Sequence, residues 1–430
     1  MNPKKVDDLA ARLAQPAPGD MFCPVPFNHL YNDNAGRWRL CCRAKPFEHT
    51  VADTTPSEHL NHPLMRRIRK EMLGQRPAKL VPEYCAKCFA MEEAGLLSVR
   101  GQANRKLAAV VRPAGNPTLR TAVRVQRSLT GRMPVKERCL ELKLRIFGNH
   151  CNLRCYMCAP VNSSSRTDEL AKIRDGYWLK RFTVPDRFGF FPDRQEYDAF
   201  VEDTLSILPL VRKIRITGGE PFLLKDHYAF LEKVVATGQA GEIALVYDSN
   251  LTAFQLGTQQ ITDFLRHFRL VTIYVSIDNL GPKNDYIRYG SHFQALLANI
   301  ERARQLPNIR LAVNCSTGLL NAGDVHEIAD FFESLGLGTG FGTCVITKPT
   351  FLQARHLPEP VKEQYLDRLC ASRHRGAFEG LEKMLRQPRD EDEYRTFLQY
   401  IHDLDQRRGT DYLELWPELR RFDILRDSVT

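Results

Sequence analysis

An α/β fold built from parallel strand–helix units is predicted from residue 138 onward. Two observations carry this. Six short apolar or alternating runs recur there, and helix-length segments separate them. Strands that alternate with helical patterns argue for βα units around a parallel sheet. A third observation bounds the fold on its N-terminal side: four cysteines on two separated segments mark a small Cys-rich module ahead of the first of these strands.

Taken in order, residues 1–20 read as a loose tail. Residues 21–105 hold the first patterned cysteines and a helical stretch at Pro63–Gly74. Residues 106–137 are basic, contain Pro113, Pro117 and Pro134, and read as a linker with helical pieces. The βα array spans 138–350. Its strands are predicted at Glu141–Ile146, Lys213–Thr217, Ile243–Tyr247, Val271–Ile277, Arg310–Asn314 and Gly340–Ile346. Its helices are predicted at Asp198–Leu208, Asp226–Thr237, Thr258–His267, Phe293–Gln305 and Ala322–Leu335. Pro349 and Pro358 bracket the entry to a helical C-terminal region, 351–430, whose default role is structural support, packing over the open side of the array or covering a substrate channel. No internal repeat or low-complexity tract stands out.

Apolar residues make up 43 % of the 430, enough for a large core. No run of about 18 apolar residues exists, so no membrane span is expected, and Met1–Asp20 lacks the apolar centre of a secretory signal. A cytoplasmic protein is the expectation. The twelve cysteines then read as metal ligands or buried thiols rather than disulfides. Cys139, Cys315, Cys344 and Cys370 stand alone and are expected in the core. Of the net charge of +10, much sits between Arg100 and Arg145, where twelve Lys or Arg face Glu137 and Glu141. Such a stretch is either a footprint for a polyanion or a solvated face.

His150–Pro160 reads HCNLRCYMCAP, a Cys-x3-Cys-x2-Cys set directly after the first strand. Thiolates are soft ligands suited to iron–sulfur clusters and zinc. Three close cysteines on a four-iron cubane leave one iron open to a substrate or cofactor. A zinc site completed by His150, or a redox motif, are the other readings. Thr217-Gly218-Gly219-Glu220-Pro221 follows at the end of the second strand, where adjacent glycines let a ligand approach the backbone.

Together these two motifs resemble the radical SAM superfamily over about 138–350. Asp248-Ser249-Asn250, Ser276-Ile277-Asp278 and Ile287-Arg288-Tyr289-Gly290 resemble that family's further strand-end motifs. The resemblance implies a partial (βα)6 barrel with its site at the C-terminal strand ends. It implies a [4Fe–4S] cluster on Cys151, Cys155 and Cys158, with the amino and carboxylate groups of S-adenosylmethionine on the open iron. Met157 would pack near the adenine, and Gly218, Gly219 and Glu220 would lie along the methionyl amino group. Asn250, Ser276 and Asp278 are candidates for ribose contacts, against plain strand-end capping, and Arg288 for the carboxylate. The implied chemistry is reductive cleavage of S-adenosylmethionine to a 5′-deoxyadenosyl radical that abstracts hydrogen, fed by an electron donor such as a flavodoxin or ferredoxin.

Upstream, Cys23-x12-Gly36-x4-Cys41 and Cys85-x2-Cys88 supply four thiolates on two segments. Spacing alone fits a zinc site or a full cluster; of the adjacent Cys41 and Cys42, Cys41 fits the spacing. The arrangement resembles the SPASM/twitch module of radical SAM enzymes, as do Glu92, Gly95, Ser98 and Arg100, Ser163–Ser165, and Trp416-Pro417-Glu418-Leu419. That resemblance implies an auxiliary [4Fe–4S] cluster, in a module that here precedes the barrel rather than following it. For the substrate three classes stay open. DNA, RNA or a nucleotide fits the basic segment and the aromatics Phe188–Phe191 and Tyr197; a peptide and a small sugar-like molecule are the others. A zinc or iron–sulfur nucleic-acid-binding protein without radical chemistry is the reading of a different class.

Overall fold

The computed structural model describes residues 20–74, 76–94, 97–111, 140–182, 190–337 and 340–425. The predicted tail thus falls almost wholly outside the described residues. So do Gly95, Cys139, Phe188 and most of the basic linker with its three prolines.

In chain order the main elements are β1 (His29–Asn32), β2 (Arg37–Arg39), β3 (Pro46–Thr50), α1 (Pro63–Met72), α2 (Leu80–Glu93), α3 (Val99–Val111), β4 (Leu140–Leu144), α4 (Ser164–Ala171), α5 (Arg194–Ser206) and β5 (Val211–Ile216). There follow α6 (Lys225–Ala236), β6 (Ala244–Ser249), β7 (Leu270–Ser276), α7 (Gly281–Ile287), α8 (Phe293–Arg304), β8 (Ile309–Thr317), α9 (Val325–Ser334), β9 (Phe341–Val345), α10 (Glu359–Ala371) and α11 (Glu391–Arg408). All six predicted strands are present, and the fold is α/β with mostly parallel strands.

The chain divides into two units. The first takes residues 1–146, 189–216 and 232–245. Its strands run in the order β5-β4-β1-β2-β3. β4 pairs in parallel with both β5 and β1, and the β1-β2-β3 meander is antiparallel. Strand β1 was not expected: its four residues are too short a run for periodicity to register. On β4, Leu140, Leu142 and Leu144 are buried while Glu141 and Lys143 alternate to the other face. Trp38 on β2 is fully buried and stacks on His59 with ring centroids 4.3 Å apart. Helix α5 starts four residues before its predicted bound, because the Asp193 side chain accepts from the Glu196 N–H at 2.9 Å and caps it there.

The second unit takes residues 147–188, 217–231 and 246–430. Here the order is β9-β8-β7-β6, with β8 parallel to both β7 and β9. Val271, Ile273 and Val275 alternate into the core from β7. The C-terminal region is helical as expected. Asp390 caps α11 by accepting from the N–H groups of Asp392 and Glu393, and Gly409 ends it at φ 68°.

Two expectations fail here. The helix predicted over Thr258–His267 is reduced to Ile261–Leu265, because Gln255–Leu256 and Gln259–Gln260 pair as a two-residue hairpin across Gly257 at φ 58°. Cys344 is exposed rather than in the core, since β9 is paired by register only with β8 and its side chains lie at most half-buried. Cys315 is buried as expected, and Cys370 is half-buried. No helix among the described residues is long and apolar enough to cross a membrane.

Candidate functional site

After β4 the chain turns at Gly148, φ 109°, into the cysteine loop. Its backbone is pinned at each thiol. The Arg154 N–H donates to the Tyr289 carbonyl and the Tyr156 N–H to the Ile287 carbonyl, both at 2.9 Å. The Cys158 N–H closes a turn on the Cys155 carbonyl, and the Ser165 hydroxyl donates to the Cys151 carbonyl. Cys155 is buried; Cys151 and Cys158 are half-buried. Burial pushes the Cys151 and Cys155 thiols up from their ordinary range. Met157 is half-buried and His150 is exposed.

The GGEP turn is stitched to this loop through backbone. The Glu220 N–H donates to the His150 carbonyl at 2.7 Å and the Gly219 N–H to the Asn162 carbonyl at 3.2 Å. Gly219 sits at φ +55°, and a Cβ there would lie 2.2 Å from the His150 carbonyl oxygen. The close approach that the paired glycines allow is therefore, at Gly219, an approach to the cysteine loop itself. Thr217 Oγ1, at the strand end, is buried without a hydrogen-bond partner.

The carboxylate of Glu220 reaches across to the next strand end. It accepts from the Asn250 N–H at 2.7 Å, the Ser249 hydroxyl at 2.8 Å and the Phe222 N–H at 3.2 Å. Burial raises its pKa to about 7 against the pull of those three donors. A carboxyl raised in the folded chain binds protons that the unfolded chain has already lost. Its stabilising contribution is full below the unfolded value and fades as pH rises through 7. Glu220→Gln removes that slope and turns one acceptor into an NH2 facing donors. We expect a loss of about 1–3 kcal/mol, read as a lower thermal midpoint at pH 5 with a flatter dependence from pH 5 to 8 than the parent protein.

Three more predicted residues meet here. Asn250 Nδ2 lies 3.7 Å from Cys151 Sγ and donates to Asn152 Oδ1 at 3.1 Å, while its Oδ1 accepts from Thr252. Arg288 and Asp278 pair with each other, Nε to Oδ2 at 2.8 Å, and Arg288 Nη1 lies 3.8 Å from Cys155 Sγ. Asp278 is fully buried and also accepts from the Ser316 N–H at 2.6 Å. Ser276, the last residue of β7, stands opposite Asn314 in register.

One part of the site was invisible in the sequence. The C-terminal helix α11 grips the back of the cysteine loop. Arg408 Nη2 donates to the Arg154 carbonyl at 2.6 Å, and Arg166 Nη2 on α4 donates to the Tyr156 carbonyl at 3.1 Å. The Tyr400 hydroxyl donates to the same Tyr156 carbonyl. Glu169 lies between the two arginines, pairing with Arg408 Nε at 2.9 Å and with Arg166. Within this unit the C-terminal region acts as a clamp on the loop. The signal that could have found it, two arginines and a glutamate far apart in sequence, has no periodicity.

Thiolates suit an iron–sulfur cluster or zinc, and here amide and guanidinium donors are set at two of the sulfurs, those of Cys151 and Cys155. Residues 146–335 match the family model described as the radical SAM superfamily. This chain carries a radical SAM domain. The family implies a [4Fe–4S] cluster with one open iron and S-adenosylmethionine.

Relatives of the radical SAM domain include a probable GTP 3′,8-cyclase of Methanococcus vannielii, 27% identical over 186 residues, which are 43% of this chain and 52% of that protein. Another is the GTP 3′,8-cyclase of Xanthomonas axonopodis pv. citri, 30% identical over 177 residues, 39% of this chain and 50% of that one. The chain thus spans about half the length of the curated relatives it matches. Streptococcus suis SuiB bound to S-adenosylmethionine aligns with a TM-score of 0.35 at 12% identity, over 76% of this chain and 63% of that one.

The first unit gathers the upstream thiols. Cys23, Cys41, Cys85 and Cys88 lie close enough to influence one another electrostatically. Cys23 and Cys88 are buried, Cys41 and Cys85 half-buried, and Cys42 is exposed. Burial pushes Cys85 up to about 12 and raises Cys23 and Cys41. Beside them Arg100 is buried, pairs with Glu92 and stacks on Phe89 at 4.7 Å, while the Ser98 hydroxyl donates to Glu92. Half-buried Glu92 thus braces the buried Ser98 and Arg100.

Proposed function

We propose that this chain is a radical SAM enzyme with two iron–sulfur clusters that modifies a nucleotide-class substrate. The observation that carries the radical SAM reading is the fastening of the three-thiol loop to the GGEP turn, with Asn250 and Arg288 set at two of the sulfurs. When bound, the cluster and S-adenosylmethionine supply one-electron cleavage to a hydrogen-abstracting 5′-deoxyadenosyl radical. The residues of this chain bind, orient and shield. Cys151, Cys155 and Cys158 hold iron, and Arg288, itself held by Asp278, stabilises charge on Cys155. Gly218, Thr217, Ser276 and Met157 stand at the strand ends and loop, where the methionyl, ribose and adenine parts would lie. Buried Leu153 and Tyr156 keep water from the back of the loop.

We assign Cys23, Cys41, Cys85 and Cys88 to an auxiliary [4Fe–4S] cluster, with exposed Cys42 outside it. The nucleotide-class substrate is supported by the names of the curated relatives, and the electron donor by the chemistry, which needs a low-potential carrier such as a flavodoxin or ferredoxin. Anaerobically reconstituted protein with dithionite and S-adenosylmethionine is expected to release 5′-deoxyadenosine and to hold about eight irons per chain. Replacing Cys151, Cys155 and Cys158 together by Ala is expected to leave about four irons and no product. Fully loaded parent protein that yields no 5′-deoxyadenosine would exclude the reading in favour of a cluster-bearing binding protein.

A further inference from the structure

In the second unit a buried charged pair is held against one thiol of the three-cysteine loop. Backbone bonds join the neighbours of Cys155 to the neighbours of Arg288. The Arg154 N–H donates to the Tyr289 carbonyl and the Tyr156 N–H to the Ile287 carbonyl. Cys155 and Arg288 thus stand opposite each other between two fixed rungs, and Arg288 Nη1 donates to Cys155 Sγ at 3.8 Å. The same guanidinium has a second partner. Its Nε lies 2.8 Å from Asp278 Oδ2 without the alignment of a hydrogen bond, so charge joins the two.

Asp278 is itself fixed on several sides. Its Oδ1 accepts from the Ser316 N–H on β8 at 2.6 Å, its N–H donates to Asn284 Oδ1 at 3.2 Å, and its carbonyl accepts from Asn321 Nδ2 at 2.7 Å. Asn284 ties down the other partner too, because its carbonyl accepts from the Arg288 N–H at 2.8 Å. Both charges are buried: the Asp278 side chain is 0 % exposed and that of Arg288 11 %. Solvent and salt therefore screen them little. Hydrogen bonds to the sulfurs, net charge and exposure set the potential of an iron–sulfur cluster. A cation at a ligand sulfur favours the state with one more electron. Of this pair, Arg288 acts on Cys155 more strongly than Asp278 does, so the cation dominates at that sulfur.

Resting on the enzyme reading above, we propose that Arg288 raises the potential at which a cluster on Cys151, Cys155 and Cys158 accepts its electron. Asp278 is the positioning residue that keeps the guanidinium at Cys155. The arginine then serves the cluster rather than the carboxylate of S-adenosylmethionine.

Iron-loaded full-length protein is titrated by EPR-monitored potentiometry without S-adenosylmethionine. The signal followed is the one that S-adenosylmethionine perturbs in a parallel sample. Arg288→Gln removes the cation and leaves the Asp278 carboxylate unbalanced, whereas Arg288→Gln with Asp278→Asn removes both charges. The midpoint is expected to be highest in the parent, lower in the double variant and lowest in Arg288→Gln. Between parent and Arg288→Gln the reduction equilibrium is expected to fall at least tenfold, which is about 59 mV for one electron. The double variant strands no buried charge, so it decides the matter even where Arg288→Gln loads iron poorly. Asp278→Asn tests the positioning. A guanidinium that stays at Cys155 without its anion raises the midpoint; one released by the loss of its holder lowers it to the value of the double variant. The fall is expected, and a rise overturns the role of Asp278. Affinity for S-adenosylmethionine is measured on the oxidised protein by equilibrium dialysis. Weaker affinity in Arg288→Gln with an unmoved midpoint assigns the arginine to the cofactor and overturns the proposal. A midpoint indifferent to both Arg288 variants overturns it as well, and leaves the enzyme reading standing if 5′-deoxyadenosine is still released. Parent protein with neither a perturbed signal nor 5′-deoxyadenosine removes that reading and this proposal together.

Discussion

Gly219→Ala is expected to abolish iron uptake by Cys151, Cys155 and Cys158 while the four upstream thiols still load. A Cβ at this position lies 2.2 Å from the His150 carbonyl oxygen and under 3.0 Å from two further backbone carbons. None of these is the movable end of a flexible side chain. The residue also sits at φ +55°, where an L side chain is strained. Relief requires moving the GGEP turn off the cysteine loop. That breaks the Glu220 N–H bond to His150 and the Gly219 N–H bond to Asn162, at a cost on the order of 3 kcal/mol or more. Gly238→Ala is the matched control. It has φ +70° but nothing within 4 Å of its Cβ, so it carries only the backbone strain, about 1 kcal/mol. Iron per chain and denaturation midpoint read both. Full iron loading in Gly219→Ala would show that the turn and the loop are not coupled as the backbone contacts indicate.

Much of this site was legible because it is local. A strand, three cysteines and two glycines are runs of neighbouring residues whose pattern survives in one dimension, and all six strands of the array were found this way. The short meander β1-β2-β3 was not, because three to five residues cannot display a period. The hairpin at Gly257 reads in sequence as the approach to a helix, since Gln259 and Gln260 carry no bias strong enough to oppose one. The pairing of Arg288 with Asp278 was hidden for a different reason. Each residue alone suggested a ligand contact, and only the fold shows that they face each other and that the arginine reaches Cys155. Glu220 is similar: its carboxylate accepts from Ser249, Asn250 and Phe222, contacts to the next strand end that no local run of sequence displays.

The clamp behind the loop, wholly non-local, yields the second large effect. Glu169 is the one carboxylate within reach of both Arg166 and Arg408 in the contacts described, and all three side chains are almost fully buried. Burial works to raise its carboxyl, yet the Arg408 and Arg166 guanidiniums hold it below the usual range. Glu169→Gln leaves two guanidiniums facing each other with no anion between them. Removing one partner of a buried ionic group typically costs about 3–5 kcal/mol, far above the ~0.5 kcal/mol of a neutral surface change. The two arginines also hold the Arg154 and Tyr156 carbonyls, which flank Cys155 on either side. Loss of stability and loss of iron at the three-cysteine site should therefore come together. The double variant Glu169→Gln with Arg408→Met removes one of the stranded cations and is expected to regain part of the denaturation midpoint. It should not regain the iron, because the bond to the Arg154 carbonyl is gone. If the double variant recovers both, the clamp contributes charge balance alone. If it recovers neither, the arginines do not repel as their burial requires.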